Sequence, residues 1–536
     1  MVMQMINTFW QELQESWEQI KEFYKKTKVL RWFGACLMFV LYGIRFVQGE
    51  YFVDSELMLT APEELLQSWY GHRRFALIFT RKLFGMLRLM PFMENALLLL
   101  MFFLAGFTAL FAIWYWNGRN EKLHAGYGLF LLLFFSAPCF VEQFNFTLQA
   151  FEIALIMAVC IGAAFCMGKW LYERKSVLWC IIGFGMMVWS FDTYQSFLAF
   201  YIGIVLISYI CEYSSGMNPC GWREGILHVM FFVAGYVVSQ LLAIWICQIK
   251  GGNSGYVNGM MRWGVESVQE CLEGIRVDYN RIYRGEWPTF FKSKAFLSSA
   301  AAAFVISFWR LRKKKSVICF GIAWFFLVLS PILTTLLTAM PQPVRSQFTF
   351  PAVFSFAVFF LYSEIRMFCF KDNWKQVRRL TGAVVLVLGI VVGWKQSVTV
   401  GQLWETAHEV SLGDRALAQR IYDRVCIAAD MEHMEDCRVV FVGSRAAEVP
   451  KNVVRGDVIG YSFFQWDASS PSALNQRIHG YYRSLGLPMH FLADGEIQGL
   501  CEEAAEAAKD HTSWPTADSV FKLLDGVVVV KLSDPE

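Results

Sequence analysis

The chain has 536 residues, of which 56% are hydrophobic and 17% charged, and its mean hydropathy is +0.39. A soluble domain carries about a quarter charged residues, so this composition excludes an ordinary soluble protein. The formal net charge of +3 is small, and we expect no nucleic-acid partner. Apolar runs such as "ENALLLLMFFLAGFTALFAIWYW" (94–116) reach the roughly 20 residues that a membrane-spanning helix needs. The sequence therefore predicts an α-helical polytopic membrane protein.

The first thirty residues are amphipathic and charged. They lack the short apolar core and small-residue cleavage site of a secretory signal peptide. We therefore predict that residues 1–28 form an interfacial helix on the cytoplasmic surface, leading into the first span.

Apolar windows predict about eleven membrane spans. Only the polar stretch "SFDTYQS" (190–196) separates the fifth span from the sixth. The predicted spans lie near 30–48, 95–116, 124–140, 147–168, 177–190, 195–211, 226–248, 294–309, 316–338, 348–365 and 380–397.

The Lys and Arg residues orient these spans, because cytoplasmic loops are enriched in both. With the N-terminus inside, the three short outer segments contain a single basic residue, Arg345. This alternation predicts a multi-pass plasma-membrane protein with a cytoplasmic N-terminus. The basic inner segments are 21–31, 169–175, 310–315 and 371–379, and the short outer segments are 138–146, 190–195 and 338–347.

Two longer outer loops are predicted inside the transmembrane domain, which we place at 29–398. They cover 49–93 and 249–293. Part of the first loop, 73–90, is too charged to span the membrane and has the spacing of an amphipathic helix lying in the interface.

The tail after about residue 398 is also predicted to lie outside. It alternates a helix-like stretch (413–430) with strand-like stretches (438–443 and 526–532). This alternation predicts a small extracytoplasmic α/β domain over 399–536. Cys426 and Cys437 lie in this tail, where an oxidising compartment would permit a disulfide between them, and two free thiols are the alternative.

Acids, arginines and aromatic residues concentrate on the outer side. Glu142 and Asp192 lie in short loops between apolar helices, where ionisable groups usually face a polar cavity. The alternative for each acid is a helix cap, since "SFDT" resembles an N-cap signal, but capping does not explain why the whole set lies on one side. The set comprises Asp54, Glu56, Glu63, Glu64, His72, Arg73, Arg74, Glu142, Gln143, Asp192, Tyr194, Gln195 and Arg345.

This set contains the groups that a transfer reaction needs. A carboxylate can accept the proton of an incoming hydroxyl, and an arginine can hold a leaving phosphate with two hydrogen bonds. Asp54 with Glu56 supplies the first group, and Arg73, Arg74 or Arg345 the second. The combination indicates transfer of a group from a phosphate-linked lipid to an alcohol.

Several stretches, in matching order, resemble the GtrII-like family of membrane glucosyltransferases. The sequence departs from the family pattern in having "DSE" where adjacent aspartates are expected and "GHRR" where a plain Gly-Arg is expected. The matching stretches are "GEYFVDSELM" (49–58), "WYGHRRFAL" (69–77), "SFDTYQSFLAFYIG" (190–203), "MPQPVRSQFTFPAVFSFAVFFLY" (340–362), "ALAQRIYDRV" (416–425) and "CRVVFVG" (437–443).

The resemblance implies a GT-C-type glycosyltransferase. Such an enzyme takes a hexose, here glucose, from a polyprenyl-phosphate carrier and transfers it to a cell-envelope polysaccharide or related glycan on the outer face, with inversion at the anomeric carbon. It places an acidic base in the first outer loop, which corresponds to Asp54 or Glu56. We favour Asp54, because it lies closer to the membrane end of the first span.

The other roles follow from the same resemblance. Arg345, with Arg74 or Arg73, would neutralise the leaving phosphate. For Trp69 and Tyr194 the interfacial aromatic belt is the alternative. The residues expected to contact the sugar or the acceptor are Glu142, Asp192, Tyr194, Gln195, Trp69 and His72.

Polyprenyl phosphate is itself a competent leaving group, so we expect no cofactor, and no His or Cys spacing indicates a metal site, although a divalent metal stays open. The expected partners are the lipid-linked donor, an envelope glycan, membrane lipid, a flippase and a donor synthase. The alternative function is a transporter or flippase of lipid-linked glycans, which predicts inverted repeats that the sequence does not show. A third possibility is the same architecture handling a mannosyl, aminosugar or phosphoglycerol unit.

Overall fold

The computed structural model describes residues 2–47, 52–252, 255–367, 375–429, 437–450, 453–487, 489 and 494–534. The chain begins with the predicted amphipathic helix, α1 (Val2–Lys26). Its polar face contacts the bundle: the Glu12 carboxylate accepts hydrogen bonds from the Trp179 indole (3.0 Å) and from the Ser176 backbone N–H (3.1 Å).

The rest of the membrane domain is helical. It closes with a 55-residue helix that runs out of the bundle. In chain order its helices are α2 (Lys28–Tyr42), α3 (Ile44–Val47), α4 (Ser55–Thr60), α5 (Pro62–Gly71), α6 (Phe75–Leu83), α7 (Pro91–Trp116), α8 (His124–Phe135), α9 (Cys139–Phe144), α10 (Thr147–Leu171), α11 (Val177–Phe191), α12 (Phe197–Ser215), α13 (Trp222–Lys250), α14 (Gly255–Gly259), α15 (Val268–Tyr279), α16 (Ser293–Leu311), α17 (Val317–Leu329), α18 (Leu333–Thr338), α19 (Thr349–Met367) and α20 (Lys375–Ala429).

The polytopic membrane architecture is confirmed, but the predicted count of about eleven spans is not. Among the described residues, eight helices are long and apolar enough to cross a membrane. The spans predicted near 30–48, 124–140 and 177–190 correspond to the shorter helices α2, α8 and α11, of 15, 12 and 15 residues. The eight are α7, α10, α12, α13, α16, α17 with α18, α19 and α20.

The two ends of the bundle carry different loops. At the end beside α1, Lys175 pairs with Glu15 (2.8 Å). At the opposite end, the Gln195 amide donates to the His72 carbonyl (2.7 Å), which joins two of the predicted outer segments. We call the end that carries His72 and Gln195 the acidic end; the predicted orientation of the two ends in a membrane stays a prediction.

The segment 73–90 is not one interfacial helix: residues 75–78, 80 and 81 are buried, whereas 82–85 are exposed. Only Phe75–Leu83 is helical, and Arg81 is completely buried, paired with Glu94 (2.8 Å) and Glu152 (2.7 Å). One of the charges that suggested an interfacial position, that of Arg81, instead lies inside the bundle, where two spans supply carboxylates to it, whereas Lys82 and Arg88 are exposed.

Helix α20 is the main departure from the predicted domain division. At about 1.5 Å per residue it is about 80 Å long, whereas a hydrocarbon core needs about 20 residues of helix. The boundary that we placed at residue 398 therefore falls inside one continuous helix. The polar residues after Lys395 end the apolar stretch, but no proline interrupts the helix.

The far end of α20 packs on the carboxyl-terminal domain, whose predicted small sheet is confirmed. The strand order is β1-β3-β2, with β1 and β3 parallel and β2 antiparallel to β3. The prediction of β1 and β3 from their valine-rich sequences is correct, whereas β2 was missed. The elements are β1 (Arg438–Val442), α21 (Pro471–Ser484), α22 (Asp494–Ala507), β2 (Val520–Leu524) and β3 (Val527–Lys531).

Candidate functional site

Asp54 and Glu56, the predicted bases, lie at the start of α4 against the carboxyl-terminal domain. Arg477, on α21, reaches both carboxylates: it hydrogen-bonds the buried Glu56 and lies 3.5 Å from Asp54. Arg477 also pairs with Asp467 (2.8 Å). We call these four residues the Arg477 cluster. Gly480 permits the close approach of α21, because a Cβ there would lie 2.9 Å from the Glu56 Cγ.

The two predicted bases differ sharply in their surroundings. The Glu56 side chain is fully buried, whereas the Asp54 side chain is 38% exposed. Burial raises the pKa of Glu56 from 4.5 to about 8, although Arg477 acts against the shift. Asp54 also has a positive φ of 75°, a conformation that non-glycine residues adopt rarely and that is concentrated at functional sites. Of the two, Asp54 is the carboxylate that a substrate can reach.

Glu142 joins the membrane domain to the carboxyl-terminal domain. Its carboxylate accepts the backbone N–H groups of Asp457 (2.8 Å), Val458 (3.0 Å) and Ile459 (3.2 Å). Burial raises the pKa of Glu142 to about 7, and these N–H groups oppose the rise. The Asp457 carboxylate in turn accepts the N–H of Val344 (2.9 Å), in the 3₁₀ turn that carries Arg345.

Arg345 and Arg74, two of the predicted phosphate ligands, rest on aromatic rings at the acidic end. The Arg345 guanidinium lies 4.9 Å from the Phe146 ring, and that of Arg74 lies 4.6 Å from the Tyr194 ring. Both side chains are partly exposed, and neither makes an ion pair within the part of the chain that the structure describes. Each therefore presents a positive charge without a carboxylate to neutralise it.

Phenylalanine rings connect these arginines to the Arg477 cluster. Phe52, two residues before Asp54, packs edge-on against Phe146 (5.1 Å), the ring beneath Arg345. On the other side, Tyr194 contacts Phe348 (6.4 Å), which follows Arg345 by three residues. Arg345 thus lies over a ring that packs on the segment carrying Asp54, and Arg74 lies over a ring that packs on the segment carrying Arg345.

The remaining predicted residues occupy supporting positions around the same end. Arg73 donates to Gln240 (2.8 Å), and Gln195 holds the His72 carbonyl (2.7 Å). The Trp69 side chain is buried in a hydrophobic cluster with neighbours from α5 and α6.

In Asp192 and His72, burial shifts the pKa in the direction that favours the neutral form. Asp192 accepts the hydroxyl of Ser239 (2.7 Å), and burial raises its pKa to about 7. Burial, with Arg74 nearby, lowers the pKa of His72 to about 4, so this imidazole is neutral at physiological pH.

Sequence reasoning missed Arg477, Asp457, Phe52 and Phe146. Arg477 and Asp457 lie in the tail, more than 100 positions from their partners Glu56 and Val344, and no local pattern marks them. The available signal was that a buried Glu56 needs a cationic partner. Cys426 and Cys437 are free thiols, so the possible disulfide is wrong. No group of three or more His, Cys, Asp or Glu residues in the described ranges is arranged to hold a metal ion.

A bundle of apolar helices with a carboxylate, unpaired arginines and aromatic rings at one end defines a membrane protein with a polar site at its surface. The family model described as glucosyl transferase GtrII matches residues 43–362, more than half of the chain, and the chain belongs to this glucosyltransferase family. The match includes Asp54, Arg74 and Arg345 and ends before the carboxyl-terminal domain. No curated protein and no solved structure matches the chain.

Proposed function

We propose that the chain is a GT-C-type enzyme that transfers glucose from a polyprenyl-phosphate carrier to a hydroxyl of a cell-envelope glycan. The acidic end faces outward in the plasma membrane, with the N-terminus in the cytoplasm and the carboxyl-terminal domain outside. The family membership supports a sugar donor and a glycan acceptor. A flippase and a donor synthase would supply the lipid-linked sugar at that face.

The proposed reaction is a displacement at the sugar's C1. The acceptor hydroxyl attacks C1 and loses its proton to Asp54, while the bond between C1 and the phosphate oxygen breaks and polyprenyl phosphate leaves. A general base of this kind contributes about 10²- to 10⁴-fold in rate. Glu56 is unsuited to the role, because it is buried and hydrogen-bonded to Arg477.

Phosphate departure requires positive charge that no protein carboxylate already neutralises. Arg345 carries the proposal, because its guanidinium is partly exposed at the acidic end and has no ion-pair partner among the described residues. Arg74 is placed similarly over Tyr194. A guanidinium binds two phosphate oxygens at once and stabilises the leaving group as its charge develops. Arg73 is placed to orient Gln240.

The neighbouring residues would bind the sugar and acceptor. Gln195 and His72 are partly exposed and are the candidates for contacts to sugar hydroxyls, whereas Tyr194 and Phe146 are buried and support the guanidiniums of Arg74 and Arg345. Glu142 would act indirectly, because its carboxylate already accepts three backbone N–H groups and thereby holds the loop that supports Arg345.

The test is turnover by the purified full chain in lipid nanodiscs. Radiolabelled glucosyl polyprenyl phosphate and candidate envelope glycans are supplied, and released polyprenyl phosphate and labelled glycan are measured. We expect transfer by the wild type and a loss of about 10²- to 10³-fold in Arg345→Gln, as for removal of one charge-stabilising donor.

Arg284→Gln is the matched control, because Arg284 is an exposed arginine whose cation lies over Tyr279. A wild-type rate of turnover in Arg345→Gln would show that Arg345 does not stabilise the leaving phosphate. In sealed proteoliposomes, movement of the intact lipid from one leaflet to the other without cleavage at C1 would favour the flippase alternative.

A further inference from the structure

A cavity of about 770 Å³ lies at the end of the bundle opposite the acidic end, between α1 and the helices α7, α10 and α11. This volume is within the range of about 300 to 1,000 Å³ that ligand sites occupy. Its walls are aromatic and aliphatic almost throughout, and include Trp10, Trp17 and Phe23 from α1 and Phe103, Phe107 and Phe111 from α7.

The cavity is elongated. Its lining runs along α1 from Trp10 to Tyr24 and along α7 from Phe103 to Ala112. At about 1.5 Å per residue these stretches are about 21 Å and about 14 Å long, so the space suits a chain rather than a compact molecule. Trp10, Trp17 and Leu104 are also exposed at its edge, which makes the cavity continuous with the surface that faces the lipid.

One lining residue carries a charge. The Arg31 guanidinium stacks 3.3 Å from the Tyr24 ring, and its buried Nε has no hydrogen-bond partner in the structure. A phosphate beside this guanidinium would form a charge-assisted hydrogen bond with it. The residues around Arg31 are basic as well, with Lys25 and Lys28 exposed on the same segment.

We infer that this cavity binds one anionic glycerophospholipid of the membrane leaflet beside α1, with an acyl chain between α1 and α7 and the phosphate on Arg31. The apolar walls suit the acyl chain of the lipid, and the Arg31 guanidinium suits its phosphate. The bound lipid fills the space between α1 and the bundle. Beside this space, α1 contacts the bundle directly through Phe23 and Trp114 (5.3 Å). The glycosyl donor is a poorer occupant, because its phosphate is required at the acidic end.

Lipid retention by the full-length protein tests this site independently of transfer activity. The protein is reconstituted with an equal mixture of phosphatidylglycerol and phosphatidylcholine, returned to detergent, and analysed by native mass spectrometry. We expect one phosphatidylglycerol to remain on the wild type. Arg31→Gln should lower its retention at least about tenfold, the value of one charge-assisted hydrogen bond, and Lys28→Gln should leave it unchanged.

A second variant separates the site from effects on folding. Thr108 lines the cavity and is partly exposed within it, so Thr108→Phe should fill the space and expel the lipid while the protein stays monodisperse. Equal retention of both lipids, or unchanged retention in Arg31→Gln and Thr108→Phe, would overturn the inference. Stoichiometric displacement of phosphatidylglycerol by polyprenyl phosphate would also overturn it, because the cavity would then be a site for the carrier lipid.

Discussion

Two arginines, Arg81 and Arg477, each gather carboxylates from separate parts of the chain, but they do so in opposite environments. Arg81 and its partners Glu94 and Glu152 have fully buried side chains, and all three lie within the membrane domain. Arg477 is nearly buried, but its partners Asp54 and Asp467 are more than a third exposed. The first cluster is closed to solvent, whereas the second is open.

The difference separates a structural ion cluster from a candidate catalytic one. In the closed cluster both carboxylates pair with the same guanidinium and all three side chains are fully buried, so no group is available to a substrate. In the open cluster Arg477 holds the buried Glu56 and still leaves Asp54 accessible. The backbone conformations also favour a functional role for the open cluster. Asp54 and Asp467 both have positive φ angles, of 75° and 64°, and such strained residues are found preferentially at functional sites.

The largest stability effect is expected at the closed cluster. Arg81→Gln would leave Glu94 and Glu152 buried without a cation, and breaking such a group costs about 3–5 kcal/mol. We expect a large loss of folded protein and a lower midpoint of thermal unfolding, followed by tryptophan fluorescence in detergent. The triple variant that also carries Glu94→Gln and Glu152→Gln should recover part of the loss.

A smaller effect is expected at the open cluster. Arg477→Gln removes hydrogen bonds to charged groups, worth about 1.5–3 kcal/mol, but water can solvate the exposed Asp54 and Asp467. The buried Glu56, whose pKa is raised to about 8, can take up a proton once its cation is removed. The same unfolding measurement compares the two glutamine variants directly. An Arg477→Gln midpoint as low as that of Arg81→Gln would show that the two clusters do not differ as described.

A third expected effect is a pH dependence of stability at Glu56. Because burial raises the pKa of Glu56 from 4.5 to about 8, the folded protein binds this proton more tightly than the unfolded chain does. The resulting stability is complete below the usual pKa and is lost as the pH rises through about 8. Glu56→Gln imitates the protonated form. Its unfolding midpoint should therefore change less between about pH 5 and about pH 8 than that of the wild type. Parallel curves for the two proteins would contradict the shift.

The sequence predicts well whatever depends on local composition. Apolar length identifies the eight long spans, although it also counts three shorter helices, and valine-rich stretches identify β1 and β3. It fails where one element serves two environments: α20 continues past residue 398 because the loss of apolar residues ends a membrane span but not a helix.

The candidate site was predicted only in part for a related reason. Asp54, Arg74 and Arg345 are recognisable from residue type and loop position. Arg477 is separated from Glu56 by 421 positions, and such a contact has no local signature. The partners of Glu142 are backbone N–H groups, which any sequence provides, so its role in holding the Arg345 loop depends on the fold alone.

The most direct test of Asp54 as the base compares the turnover of Asp54→Asn with that of Glu63→Gln. Glu63 is an exposed carboxylate in the same predicted outer segment. Both variants keep the side-chain size, and Asn can still accept a hydrogen bond near Arg477. With glucosyl polyprenyl phosphate as donor, the account predicts that correctly folded Asp54→Asn releases polyprenyl phosphate about 10²- to 10⁴-fold more slowly, as expected for loss of a general base. Glu63→Gln should keep the wild-type rate. Wild-type turnover by Asp54→Asn would contradict the claim that the open cluster is catalytic.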